Sequence, residues 1–233
     1  HTFDTIMKTD NKRNRILEVC CADLQSVRAA VEGGAQRIEL CQALELDGVT
    51  PSAGMIEWAV EQGVRVHVLI RPRGGDFVYS PDEVRCMMND VHIAHMLGAS
   101  GVVIGALTPE GDIDTNVCGW LMGQAQSMSV TFHRAFDQCR NPQQALEDII
   151  SMGCHRLLTS GQAANVTEGT EMLARLVKQA AGRITILPGC GISPENAHTI
   201  ISRTGAHELH GSLRKNGHTD AETVRRTLEE MRR

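Results

Sequence analysis

Residues 15–41 read RILEVCCADLQSVRAAVEGGAQRIELC. An apolar run with alternating character gives way to a polar turn. An amphipathic stretch follows, ends at a glycine pair and leads into a second short apolar run. That is a strand, a helix and a strand, with a connection long enough for parallel pairing. The unit then recurs. Candidate strands are Arg15–Ala22, Arg37–Cys41, Val64–Pro72, Gly101–Leu107, Ser129–Phe136, Cys154–Gly161, Arg183–Gly191 and His207–Ser212, with starts 22 to 37 residues apart. Helix punctuation recurs with them. Four capping residues precede proline, at Thr50-Pro51, Ser80-Pro81, Asn141-Pro142 and Ser193-Pro194, where proline suits a first helical turn. Gly33, Gly63, Gly98, Gly153, Gly182 and Gly205 each stand before a strand, at the left-handed residue that ends a helix. Eight even βα units predict an α/β fold closed as a (β/α)8 TIM barrel, one domain over residues 15–233. A doubly wound open sheet is the competing arrangement, but CCADLQSV follows the first strand where a G-x-G-x-x-G turn would be needed. Residues 1–14 are polar and aperiodic and are expected to form a disordered tail, with those before Met7 not native.

Composition narrows the function. The 233 residues carry a net charge of −5, so no basic footprint suits nucleic acid. Two Trp, one Tyr and four Phe make a poor stacking platform for bases. No apolar stretch is long enough to cross a membrane as a helix. Eight cysteines without a C-x-x-C pair indicate reduced thiols in a cytoplasmic protein rather than a disulfide framework. His92 and His95 share a helix face and read as surface or packing residues, not metal ligands.

In a barrel of this kind alternate residues face the lumen, and chemistry sits at the carboxyl ends of the strands. Taking the apolar parity as outward leaves Glu18, Cys20, Glu39, Cys41, His67, Arg71, His133, Glu208 and His210 facing inward. The sixth strand leaves Ser160 and Thr159 plus Gly161 as alternatives, and the fourth offers nothing polar. Barrel interiors are mostly branched aliphatics, so so many polar groups converging on one lumen point to a ligand or catalytic site; a self-satisfied polar core is the alternative. Glu18, Glu39, Arg71, His133, Glu208 and His210 are therefore the candidate catalytic residues. Arg71 can clamp an anion, the histidines can move protons, and the glutamates can orient them or act as bases. Arg73, Asp76, Asp137 and Ser160 join them as candidate ligand-binding residues near the mouth. Gly189 and Gly191 in LPGCGIS and Gly211 and Ser212 in HGS suit a phosphate cradle after strands seven and eight. Cys20 and Cys41 lie on neighbouring strands about 4.8 Å apart, and soft thiolates suit Cu(I).

The phrases LEVCC, GGAQRIELC, DGVTPSAG, IRPRGGDFVYS, VTFHRAFD, LTSG and HELHGS, in this order, resemble the CutC family over nearly the whole chain from Ile16 to about Met231. The resemblance implies a cytoplasmic TIM barrel that forms a homodimer or higher oligomer and is associated with copper homeostasis. It also implies that Cys20 and Cys41 are the Cu(I) ligands. Two departures stand out: Asp47-Gly48 replaces the family's Gly-Gly, and the segment after Ser212 is short. The resemblance implies a copper ion as partner, and the inward residues themselves suit a small anionic metabolite. With the second of these the chain would be an enzyme, of unassigned reaction, acting on a small anion or a polyol at the barrel mouth.

Overall fold

The computed structural model describes residues 15–233; the expected tail, residues 1–14, lies outside them. The strands are β1 (Ile16–Cys21), β2 (Arg37–Leu40), β3 (Arg65–Leu69), β4 (Gly101–Ile104), β5 (Ser129–Phe132), β6 (Arg156–Thr159), β7 (Thr185–Pro188) and β8 (Glu208–Gly211). Each pairs in parallel with its sequence neighbour from β1 to β7, and β8 returns to β1. A single parallel bridge, Gly189 to His210, joins the last seam and closes the barrel. The helices α1 (Leu24–Gly33), α2 (Ala53–Glu61), α3 (Pro81–Met96), α4 (Thr115–Ala125), α5 (Pro142–Met152), α6 (Thr170–Ala180), α7 (Ala197–Thr204) and α8 (Ala221–Arg232) alternate with the strands. The expected (β/α)8 architecture is therefore present. A two-stranded hairpin, β9 (Arg214–Lys215) and β10 (His218–Thr219), follows β8.

The outward parity holds as expected. Leu17, Val19, Ile38, Val66, Val68, Val102 and Leu209 are almost fully buried between strands and helices, each contributing about 1.5–3 kcal/mol of apolar burial. Helix starts follow local chemistry. Asp23 accepts from the Ser26 amide at 2.7 Å. Ser80 and Glu83 form a reciprocal capping box with Pro81 at the first turn. Asn141 caps the helix opened by Pro142. The other two proline signals mislead by a few residues. Ser52, not Thr50, caps α2. After Ser193-Pro194 the chain makes a separate turn, and α7 opens only at Ala197. There the Asn196 side-chain oxygen Oδ1 accepts from the Ser193 amide at 2.9 Å, which satisfies the amide before a helix begins. At the first glycine pair Gly33 ends α1, and Gly34 takes the left-handed angle (φ +91°).

Strands are shorter than their apolar runs. The expected strand Ser129–Phe136 stops at Phe132, and Arg134–Gln138 form a 3-10 turn. His133 causes the change, because its Nδ1 accepts the Ala135 amide at 3.0 Å and caps the turn. Among the described residues no helix is long and apolar enough to cross a membrane.

Candidate functional site

The inward residues form two storeys. At the amino-terminal end of the strands, Arg37 is fully buried and pairs through Nε with Glu18. Its Nη2 donates to Glu208 at 2.6 Å, Arg156 Nε donates to the same carboxylate oxygen at 2.9 Å, and Arg156 Nη1 donates to Ser129 Oγ at 2.6 Å. Burial opposes ionisation of Glu18, but Arg37 and His210 outweigh it and hold the carboxyl well below its usual range. His67 packs beside this group, and burial lowers its pKa to about 3, so it is neutral near pH 7. Its ring fits because Gly101 faces it across β4: a Cβ there would meet the imidazole at 2.6 Å. The apparent blank in the fourth strand is thus the space that a neighbouring histidine fills.

Above this floor lies a cavity of about 600 Å³ at the carboxyl ends of the strands. Cys20, Glu39 and His210 form one wall. Their ligand atoms lie within 4.8 Å of one another. Cys41 Sγ stands behind, 3.7 Å from Cys20 Sγ. His210 Nδ1 is 2.7 Å from Glu18 Oε1, which leaves Nε2 for other partners. Such a carboxylate on the far nitrogen is the usual way a metal-ligating imidazole is oriented. Burial favours the neutral imidazole, yet Glu39, Cys20 and Glu18 together raise the His210 pKa well above 6.5. Burial also raises the Glu39 carboxyl to about 7, and its Oε2 is buried without a hydrogen bond, 3.9 Å from His210 Nδ1. The Cys41 contact and burial raise the Cys20 thiol well above 9.0. A metal taking these sulfurs would displace their protons.

The opposite wall carries Arg71, His133, Arg134 and Asp137, with Leu69, Phe77 and Leu158 between. Arg71 ties the surrounding loops: Nη1 donates to the Leu46 and Gly48 carbonyls at 2.6 and 2.9 Å, and Nη2 to Gly75 at 2.9 Å. Asp137 is a second pin. Its carboxylate accepts from Arg134 Nε at 2.8 Å, Thr159 Oγ1 at 2.5 Å and the Ser160 and Gln162 amides at 3.1 Å.

Of the residues expected from sequence, the cavity brings together Cys20, Glu39, Arg71, His133, Asp137, His210, Gly191, Gly211 and Ser212. Glu18 and Glu208 lie in the floor below. Ser160 sits under Asp137. Gly189 packs on His210, where a Cβ would lie 3.1 Å from Cδ2 and 2.5 Å from Leu158. Arg73 and Asp76 stand on the outer loop, where Arg73 Nε donates to Glu83 at 2.5 Å. The expectation missed Arg37 and Arg156. Arg37 shares the inward parity of Glu39, which was the available signal. Arg134 and Phe77, outside the strands, carried none.

An eight-stranded α/β barrel with a thiol, imidazole and carboxylate cluster at its mouth defines a TIM-barrel protein with a donor set of the kind that could hold a metal ion. The CutC family profile matches residues 15–215, and the chain belongs to the CutC family. A CutC family protein of Bacteroides thetaiotaomicron is 51% identical over 205 residues, 87% of this chain and 82% of the relative. One from Pasteurella multocida is 49% identical over 195 residues, 83% of this chain and 80% of the relative. The solved Streptococcus agalactiae CutC, described as a putative copper homeostasis protein, superposes with a TM-score of 0.81 at 33% identity, covering 85% of this chain and 98% of that one. An aldolase structure with a TM-score of 0.67 at 18% identity shares the barrel alone.

Proposed function

We propose that this chain is a copper homeostasis protein that holds Cu(I) between Cys20 on the cavity wall and Cys41 behind it, in a reducing cytoplasmic setting. The observation that carries the reading is the pair of sulfurs 3.7 Å apart. Two thiolates bound at about 2.3 Å to one tetrahedral zinc ion sit about 3.8 Å apart, so the pair already stands at bridging distance for a metal of that size. The donors are soft, as Cu(I) prefers. His210 and Glu39, whose Oε2 makes no hydrogen bond, close the ligand set from the adjacent strands. All eight cysteines are unpaired, which fits a compartment that keeps thiols reduced. The copper homeostasis description of the Streptococcus agalactiae relative supports the same reading.

Anaerobic titration with Cu(I) against a chromogenic chelator tests it. One tightly held copper per chain is expected, with that site lost in Cys20→Ser/Cys41→Ser. Unchanged stoichiometry in the double variant would overturn the assignment.

A further inference from the structure

The cavity is far larger than one metal ion needs. Its roughly 600 Å³ falls in the range of small-molecule sites. We propose that it also binds a small hydroxycarboxylate, whose carboxylate lies on the wall of His133 and Arg134, opposite the thiols. The carboxylate end does not depend on the copper reading, whereas the hydroxyl end shares Glu39 Oε2 with the ligand set proposed above.

The argument starts from a tautomer. His133 Nδ1 accepts the Ala135 amide, so it carries the lone pair. The neutral ring therefore bears its proton on Nε2. That N–H is buried without a partner in a residue only 5% exposed. Arg71 Nε is a second buried donor without a partner. Beside Arg71 the Tyr79 hydroxyl is an acceptor at hand, also without a hydrogen bond, so the demand for an outside oxygen falls on His133 Nε2. The Asp137 carboxylate is taken up by Arg134, Thr159, Ser160 and Gln162. A guest must bring the oxygen itself, as buried donors demand. Two guanidinium groups beside His133 favour an oxygen that carries negative charge. Arg134 uses Nε and Nη2 internally, on Asp137 and Ser160, and is half-exposed at the rim of the same cavity. Leu69, Phe77 and Leu158 offer apolar surface to a short carbon skeleton. Across the cavity, Glu39 Oε2 makes no hydrogen bond and has His210 Nδ1 3.9 Å away, an acceptor that suits a hydroxyl at the far end of the guest. Donors on one side and an acceptor on the other match a molecule with a carboxylate and a hydroxyl.

The test is a titration of the full chain, labelled with ¹⁵N in histidine, with L-lactate, L-malate and citrate. In the free protein His133 is expected to show a protonated Nε2 and an unprotonated Nδ1. At least one acid should shift the Nε2 signal saturably. His133→Phe, which keeps a ring against Phe77, should weaken that acid roughly tenfold or more, the size of one charge-assisted hydrogen bond, with Cu(I) affinity unchanged. A proton found on Nδ1, or no saturable shift with any of the three acids at millimolar concentration, overturns the proposal. So does wild-type affinity in His133→Phe. The labelled wild-type measurement stands even if that variant does not fold.

Discussion

Arg37 illustrates how a buried charge organises its surroundings. It neutralises two carboxylates from two other strands, Glu18 and Glu208, with no exposure to solvent. Removing one member of such a group leaves the others uncompensated, at a cost of about 3–5 kcal/mol. Arg37→Met should lower the unfolding free energy by that amount in urea, and a loss below about 1 kcal/mol would show that the carboxylates had found other partners. His133 makes a pH prediction. Burial, reinforced by Arg71, lowers its pKa to about 3 from an ordinary 6.5. The unfolded chain then takes up this proton before the folded one does. The histidine's contribution to stability is whole above pH 6.5 and drains as pH falls towards 3. Its imidazole resonances should not titrate between pH 8 and 5, and His133→Phe should show a shallower loss of stability across that acidic window. Most inward residues were legible by parity, since Leu17, Ile38 and Leu209 fix which way their neighbours point. What parity does not show is depth along the strand. Glu18 and Glu39 look alike in sequence, yet one sits in an ion-paired floor and the other faces the cavity with an idle oxygen.

Elements carry their own consequences. The capping box of α3 also anchors the loop before it, because Glu83 takes both the Ser80 amide and the Arg73 guanidinium. Ser80→Ala should cost about 1 kcal/mol and speed amide exchange in residues 73–79, measured by hydrogen exchange. A stability change without any loosening of that loop would separate the two roles. In β4, a Cβ at Gly101 would lie 2.6 Å from the His67 ring and 2.7 Å from the Ser129 carbonyl. Gly101→Ala should therefore destabilise by about 1–3 kcal/mol through overpacking, and thermal denaturation would show it. The same strand explains a limit of sequence reading. GVVIGAL lacks polar residues because its inward glycines, Gly101 and Gly105, make room for histidines from β3 and the end of β5. A gap filled by another strand's side chain leaves no trace in its own sequence. Helix ends were more legible where the cap chemistry was complete, as at Ser80-Pro81 with Glu83. At Ser193-Pro194 the proline served a turn instead.

At the scale of the molecule, the repeat itself made the barrel readable, since eight βα units of even length leave few topologies. Closure is uneven. β1 pairs with β2 and with β8 over four residues each, whereas β7 meets β8 through one bridge at Gly189 and His210. Hydrogen exchange should find the slowest amides in β1 and β2 and the fastest strand amides along the β7–β8 seam; uniform protection around the ring would contradict this. The ionic plug built by Glu18, Arg37, Glu208 and Arg156 has a further bearing on traffic. Closed at that end, the lumen is a blind vessel and not a conduit, so cargo arrives and departs through the same rim. Under the copper reading proposed above, an acceptor taking the metal from Cys20 and Cys41 would dock over the βα loops, and loading and handover would take turns at a single doorway.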